Sequence, residues 1–416
     1  MPSNTVTASM AAPEELERGY HNNPSLFTQH LYEAISDHPH SQILQFWRAR
    51  LEYQKLGSSP APGLQLLSRL VLLCVIATVF IKLPMMFAIP EVWYYTRFAP
   101  MIVTGSLIAY FFWRQFPSVP TILATCAVFV ATLATLFLLP DSETSASIIM
   151  AVIHAPLVMW SALGVAFAVS GWRNYAARLD YLRYNGELFI YTVLILLGGF
   201  VLSGMTIGLF SLLNLEISQW YTDNIVPVGL VSAPLVASFI YDVVLARQSR
   251  LATLIANVFT PLFLVMITAY LLAMVLQQQS PYTNREFLIL INGLLLLVLA
   301  MTVFSIAGRN PHLPSRLADA VNLGLITVTL LVNIVALSAI VYRLAEWGLT
   351  PNRVVVTGAN LLIFVHLITI VISYVRVLRS RAEPSALPRA VTGMLPVYTL
   401  WSLFVMIVLP ILFGFQ

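Results

Sequence analysis

Charge is what this chain has least of. Its 416 residues include 22 Lys and Arg and 18 Asp and Glu, so that 10% are charged and 59% are hydrophobic. That ratio excludes a water-soluble globular domain, because the polar residues are too few to cover the apolar bulk. Cysteine is equally scarce: Cys74 and Cys126 both fall within apolar runs, which excludes a disulfide framework in exterior loops. Acids and bases are missing from the middle of every apolar run. Proton- and ion-coupled carriers commonly place a carboxylate there, so that mechanism loses its usual signature. His-Glu-x-x-His, Gly-x-Ser-x-Gly and phosphate-loop patterns are absent, as is a membrane-buried carboxylate pair, so no catalytic site is expected. The sequence pI near 9.1 comes without a concentrated basic face, which argues against nucleic acid as a partner.

What fills the chain instead is a series of eleven apolar runs. They lie at roughly 66–87, 98–113, 118–139, 147–170, 188–212, 225–246, 251–277, 286–307, 318–341, 355–377 and 392–414. About 20 apolar residues in a helix match the roughly 30 Å hydrocarbon layer of a bilayer. The expected fold is therefore an all-α polytopic transmembrane bundle of residues 64–416, preceded by a tail of residues 1–63. Orientation follows from the basic residues, since short loops rich in Lys and Arg stay in the cytoplasm. With the N-terminus inside, alternate loops collect Arg114, Arg173, Arg178, Arg183, Arg247, Arg250, Arg309, Arg316, Arg376, Arg379, Arg381 and Arg389. The other side receives Arg97, Arg285, Arg343 and Arg353, with Lys82 near the end of the first span, and the C-terminus is expected outside. No cleavable signal peptide is visible, so the first span itself is expected to direct insertion.

Residues 1–20 are small, polar and acidic, and are expected to be disordered. Asn23-Pro24 reads as a helix start, with Phe27, Leu31, Ala34 and Ile35 on one face. A second helix over 41–56 carries Ile43, Leu44, Trp47 and Leu51 beside Arg48, Arg50 and Lys55. Such a cationic, Trp-bearing helix suits lying on the inner leaflet or docking onto the bundle, and the helices of residues 24–56 are also the candidate surface for a protein partner. The Gly, Ser and Pro of 57–63 read as a linker. Four histidines (His21, His30, His38 and His40) lie in the tail at no metal-ligand spacing, so neither a metal nor a cofactor is implied.

Within the spans, polarity is neutral and periodic. Asn257 and Thr260 share a face beside the helix-breaking Pro261, and Asn322, Thr329 and Asn333 form a stripe flanked by Asp319 and Arg343. Asn360 and Thr357 share a face further on, and His366 lies at mid-depth on another. Asn257, Thr260, Asn333, Asn360 and His366 are candidates to line a solute path. The alternative is that each hydrogen-bonds to a neighbouring helix as packing glue. Gly198, Gly199, Gly204 and Gly208 suggest close helix packing in the fifth span. In the exterior loop, Gly348 suits a helix C-terminus, Thr350 an N-cap and Pro351 a first helical position. A cation at Arg353 opposes the helix dipole, so Glu346 is expected to pair with it, in competition with Arg343.

Three motifs carry a resemblance. They are Arg183-Tyr184-Asn185-Gly186-Glu187-Leu188-Phe189-Ile190-Tyr191, the run Ala233-Pro234-Leu235-Val236-Ala237, and the loop from Tyr342 through Gly348-Leu349-Thr350-Pro351-Asn352-Arg353. Residues 65–414 resemble the bacterial membrane family called domain of unknown function 4153. The resemblance implies a multi-pass protein of a bacterial inner membrane and supplies no activity. The sequence thus leaves two leading readings, a permease-like protein for a small or amphiphilic solute and a non-transporting scaffold of an envelope system. An intramembrane enzyme is a weaker third. Oligomeric state is not readable.

Overall fold

The computed structural model describes residue 6 and residues 13–22, 24–39, 41–57, 60–142, 144–169, 171–277, 285–309 and 315–416. All regular structure among them is helical. The chain divides into two compact units, Met1–Ser68 and Arg69–Gln416.

The first unit holds α1 (Pro13–Asn22), α2 (Pro24–Asp37) and α3 (Gln42–Gly57). Leu16, Phe27, Leu31, Leu44, Trp47 and Leu51 are buried together, with the Phe27 and Trp47 rings 4.9 Å apart. Arg50 forms a two-pronged pair with Glu17 at 2.6 and 2.8 Å and lies 4.6 Å from the Trp47 ring. The hydrogen bond to Glu17 raises the Arg50 guanidinium above its ordinary range, so it is a fixed cation. Two expectations change here. Residues 13–20 are helical rather than disordered, because Leu16 and Tyr20 complete the Phe27–Trp47 core; residues 1–5 and 7–12 lie outside the described residues. Trp47 packs into this core instead of presenting a free face to a membrane. The expected linker is also shorter, since α3 runs to Gly57 and α4 (Pro60–Ile81) begins at a proline, a residue pre-set for a first helical position. Positions 58 and 59 are outside the described residues.

The second unit continues with α5 (Leu83–Phe87), α6 (Glu91–Arg114), α7 (Val119–Leu138), α8 (Ala146–Ala168), α9 (Tyr175–Ser211), α10 (Ser218–Asn224) and α11 (Val226–Phe239). A π-helical turn, Ile240–Val244, follows. Then come α12 (Leu251–Leu276), α13 (Arg285–Gly308), α14 (Arg316–Trp347), α15 (Pro351–Leu378), α16 (Ala386–Gly393), α17 (Leu395–Leu403), a second π turn (Phe404–Val408) and α18 (Leu409–Leu412). Among the described residues, nine helical segments are long and apolar enough to cross a membrane, the architecture of a multi-pass membrane protein. The other two of the eleven expected spans also fall in helices. The first lies in α4, a helix of 22 residues that ends at Ile81, with Lys82 between it and α5. The second, α6, contains Arg97, whose buried guanidinium donates to the carbonyls of Leu136, Leu139 and Pro140.

Local signals set the helix ends. Ser145, Asn174, Ser315 and Thr350 each cap an N-terminus by accepting a backbone N–H through the side chain. Gly348 ends α14 at φ +73°, in the left-handed region where a Cβ is penalised. Three apolar cores form, one around Phe111, Met159 and Tyr184, one around Ile267, Leu295, Leu325 and Leu367, and a small one of Val355, Val405 and Leu409.

Contacts sort the helix ends into two faces. One gathers Arg114 and Arg247 on Asp242, Arg183 on the Ala307 carbonyl and Arg309 on Asp319; it is the arginine-rich face. The opposite face holds Lys82 on Asn224, and there the Ser147 N–H donates to the Gln416 carbonyl at 2.9 Å. The glycine stripe of α9 does not pack as expected. A Cβ at Gly198, Gly199, Gly204 or Gly208 would meet nothing within 4 Å, and Phe200, Val201 and Met205 beside them are exposed. This half of α9 presents an apolar surface of the kind lipid covers.

Candidate functional site

The polar stripe on α14 is a buried seam. Asp319, Asn322, Thr329 and Asn333 follow helical spacing over about 21 Å at 1.5 Å per residue, and all four are buried. Two neighbouring helices meet them. On the arginine-rich side, Asn322 Nδ2 donates to Ser305 Oγ of α13 at 2.7 Å and to the Tyr374 hydroxyl of α15 at 3.1 Å. Ser305 passes the chain on to Asn257 Oδ1 of α12 at 2.8 Å. Below this layer Arg309 donates twice to Asp319, at 3.0 and 2.8 Å, and that bond raises the Arg309 guanidinium above its ordinary range.

On the opposite side the seam continues through asparagines alone. Asn333 Nδ2 donates to the Asn360 carbonyl at 3.5 Å, and Asn360 Nδ2 donates to Asn292 Oδ1 at 2.9 Å. Asn292 then lines a cavity of about 450 Å³ at that face, together with Arg343, Thr350, Asn352 and Arg353 and the apolar Leu288, Ile289, Ile340 and Val356.

The hydrogen bonding of the seam does not close. Asn322 Oδ1, Asn333 Oδ1 and Thr302 Oγ1 are buried with no partner, Thr302 lying one turn from Ser305 on α13. A buried acceptor left unsatisfied costs about 1–3 kcal/mol. Four further atoms of this kind, on Thr125, Thr192, His366 and Trp401, lie outside the seam.

The sequence-predicted residues divide among three interfaces. Asn333 and Asn360 are within the seam, and Asn257 joins it through Ser305 while itself exposed at the bundle surface. Thr260 is buried and closes on its own helix, donating to the Ala256 carbonyl at 2.7 Å. His366 sits elsewhere, sharing a 3.0 Å hydrogen bond with the Tyr398 hydroxyl of α17, and its Nε2 has no partner. In the loop between α14 and α15, the Arg353 guanidinium donates to the Gly348 carbonyl at 2.7 Å. The C-terminal carbonyl of α14 thus takes the place given to Glu346, and a helix C-terminus attracts a cation. Glu346 is exposed and, among the described residues, forms no ion pair with Arg343 or Arg353. Sequence reasoning missed Asn292, Ser305, Thr302 and Tyr374. Thr302 and Ser305, one turn apart on α13, carried a signal of their own, whereas Asn292 and Tyr374 acquire their roles only from neighbouring helices.

A second polar cluster lies on the arginine-rich face. A cavity of about 260 Å³ is lined by Asp180, Arg183, Glu187, Arg247, Ser249 and Arg250, among others. Glu187 accepts from Ser249 Oγ at 2.6 Å and from the Ala252 N–H at 2.9 Å, capping the start of α12. Asp242, on the first π turn, is buried between Arg114, Arg247 and the Tyr110 hydroxyl. These carboxylates are consumed in structural bonds. Among the described residues, no group of three or more His, Cys, Asp or Glu side chains could hold a metal ion.

No protein-family model matches the chain, and no curated protein and no solved structure matches it.

Proposed function

We propose that this protein is a permease-like carrier for a small or amphiphilic solute, and that the seam between α13, α14 and α15 is its path. One observation carries the reading. Two hydrogen-bonded polar clusters lie along α14, one at Asn322 beside the Arg309–Asp319 pair and one at Asn333 and Asn360 reaching the cavity, and Asn322 Oδ1 and Asn333 Oδ1 are buried with no partner. Unpaired acceptors along a polar line are the groups that water or a solute would satisfy during passage. The arginine-rich face is assigned to the cytoplasm by the positive-inside rule, in a bacterial inner membrane if the resemblance to domain of unknown function 4153 holds. Lipid is the surrounding partner.

The second reading, a non-transporting scaffold, draws support from the way Thr260 and His366 pair off locally, outside the seam. Residues 24–56 would then receive a protein partner.

Thiol accessibility separates the two without knowledge of the solute. In a background carrying Cys74→Ala and Cys126→Ala, Asn333→Cys and Asn322→Cys are introduced singly into inverted and right-side-out vesicles. The carrier reading expects an impermeant maleimide to label Asn333→Cys from the Arg353 side and Asn322→Cys from the arginine-rich side. Protection of both positions from both sides would identify a dry, permanently packed seam and favour the scaffold.

A further inference from the structure

Asn257 stands on the lipid-facing side of α12. It is exposed, and it follows Leu251 by six residues, about 9 Å along the helix. Leu254, Val258 and Val265 on the same side are exposed as well. The Asn257 amide is oriented from within the bundle. Asn322 Nδ2 donates to Ser305 Oγ, so the single Ser305 proton goes to Asn257 Oδ1, and Nδ2 is left as the outward donor. Among the described residues that donor has no partner. The backbone of the same residue carries the complementary deficit. Four residues on, Pro261 is exposed inside the helix and has no N–H for the Asn257 carbonyl. One exposed residue thus holds an unpaired donor and an acceptor deprived of its helical partner, at a depth where lipid tails supply neither.

We infer that two copies of this protein pair in the membrane along this side of α12, each Asn257 Nδ2 donating to the Asn257 carbonyl of the other copy. A two-fold axis along the membrane normal brings the same residue of both copies together at equal depth. A residue that holds both halves of a hydrogen bond is then its own complement, and closing the contact satisfies two donors and two acceptors at once. Interhelical hydrogen bonds and van der Waals packing are what hold membrane helices together; Leu254, Val258 and Val265 supply the apolar contact beside the polar pair. A different membrane protein would need a donor and an acceptor at matching positions, whereas a second copy has them by construction. The pairing goes beyond the carrier reading and does not rest on it, since it leaves the contact between Asn333 and Asn360 untouched.

The test uses the full-length protein in a Cys74→Ala, Cys126→Ala background, reconstituted into liposomes of phosphatidylglycerol and phosphatidylcholine. On mild oxidation Leu254→Cys or Val258→Cys should yield a disulfide-linked dimer, while Val130→Cys, similarly exposed on α7, should not. Energy transfer between copies labelled at the N-terminus, followed as added lipid dilutes the protein, measures the dissociation constant of the dimer. Asn257→Leu should raise it about eightfold, the effect of losing two hydrogen bonds of the strength usual between membrane helices. Pro261→Ala returns an N–H to the Asn257 carbonyl with the side chain in place and should weaken the dimer by a similar factor. Because alanine favours the helix, this variant covers the case in which Asn257→Leu disturbs the bundle through Ser305. A monomer at every dilution, linkage at Val130→Cys as strong as at Leu254→Cys, or a dissociation constant unchanged by both variants would overturn the pairing.

Discussion

Asn360 donates its side-chain amide to Asn292 at 2.9 Å while its backbone carbonyl accepts from Asn333. One residue of α15 thereby ties α13 to α14 near the middle of the bundle. Three helices are joined at a point where none of them carries a charge, and the outer cavity begins at the far side of Asn292.

Asn333→Leu should leave stability unchanged or raise it by up to about 1 kcal/mol. The variant forfeits one long hydrogen bond, worth about 0.6 kcal/mol on average between membrane helices, and removes an unpaired buried acceptor that costs more. Solute flux through reconstituted protein should be lost. Thermal unfolding in detergent checks the first part, and a drop of more than about 2 kcal/mol would show that Asn333 is needed chiefly for packing.

Asp242→Asn should be among the most damaging single changes in the bundle. The Asp242 side chain is fully buried, and it separates Arg114 from Arg247. Removing its charge leaves two guanidinium groups facing each other. Breaking a buried pair costs about 3–5 kcal/mol, and because both arginines are about a third exposed the loss should be nearer 2–3 kcal/mol. Arg114→Met, which leaves Asp242 its second partner, should cost less than half as much. Denaturation of the purified variants measures both, and equal losses would refute this division.

The two termini of the bundle should report different compartments. Arg69 donates to the Trp113 carbonyl beside Arg114, whereas Ser145 and Ser147 hold the carbonyls of Phe415 and Gln416 at the opposite face. A reporter fused after Gln416 should therefore be active in the exterior compartment only. Cytoplasmic activity would reverse the positive-inside assignment.

Much of this arrangement is legible in the sequence, and what is not has a physical cause. The stripe Asn322, Thr329 and Asn333 stands out because three polar residues repeat at helical spacing in an apolar segment. Asn292 and Tyr374 do not, because each acquires its role only when another helix is placed against it. The stripe of Gly198, Gly199, Gly204 and Gly208 has the spacing of a packing face, yet spacing cannot say whether a partner helix is present. The segment Pro13–Asn22 reads as polar and unstructured because its apolar edge is little more than Leu16 and Tyr20, too little to signal a helix without the Phe27 and Trp47 that cover it. A carboxylate partner for Arg353 is what a sequence offers because charge is visible in it, while a backbone carbonyl such as that of Gly348 is common to every residue.

The 37 residues of α9 extend about 55 Å at 1.5 Å per residue, against a hydrocarbon layer of roughly 30 Å. Its first half is held by Leu179, Tyr181, Tyr184 and Glu187, all buried, and its second half is largely exposed. A helix clamped at one end and immersed at the other acts as a ruler. The immersed half is the part of α9 on which bilayer thickness acts, and the clamped half is held to the first turn of α12 by the bond from the Ala252 N–H to Glu187.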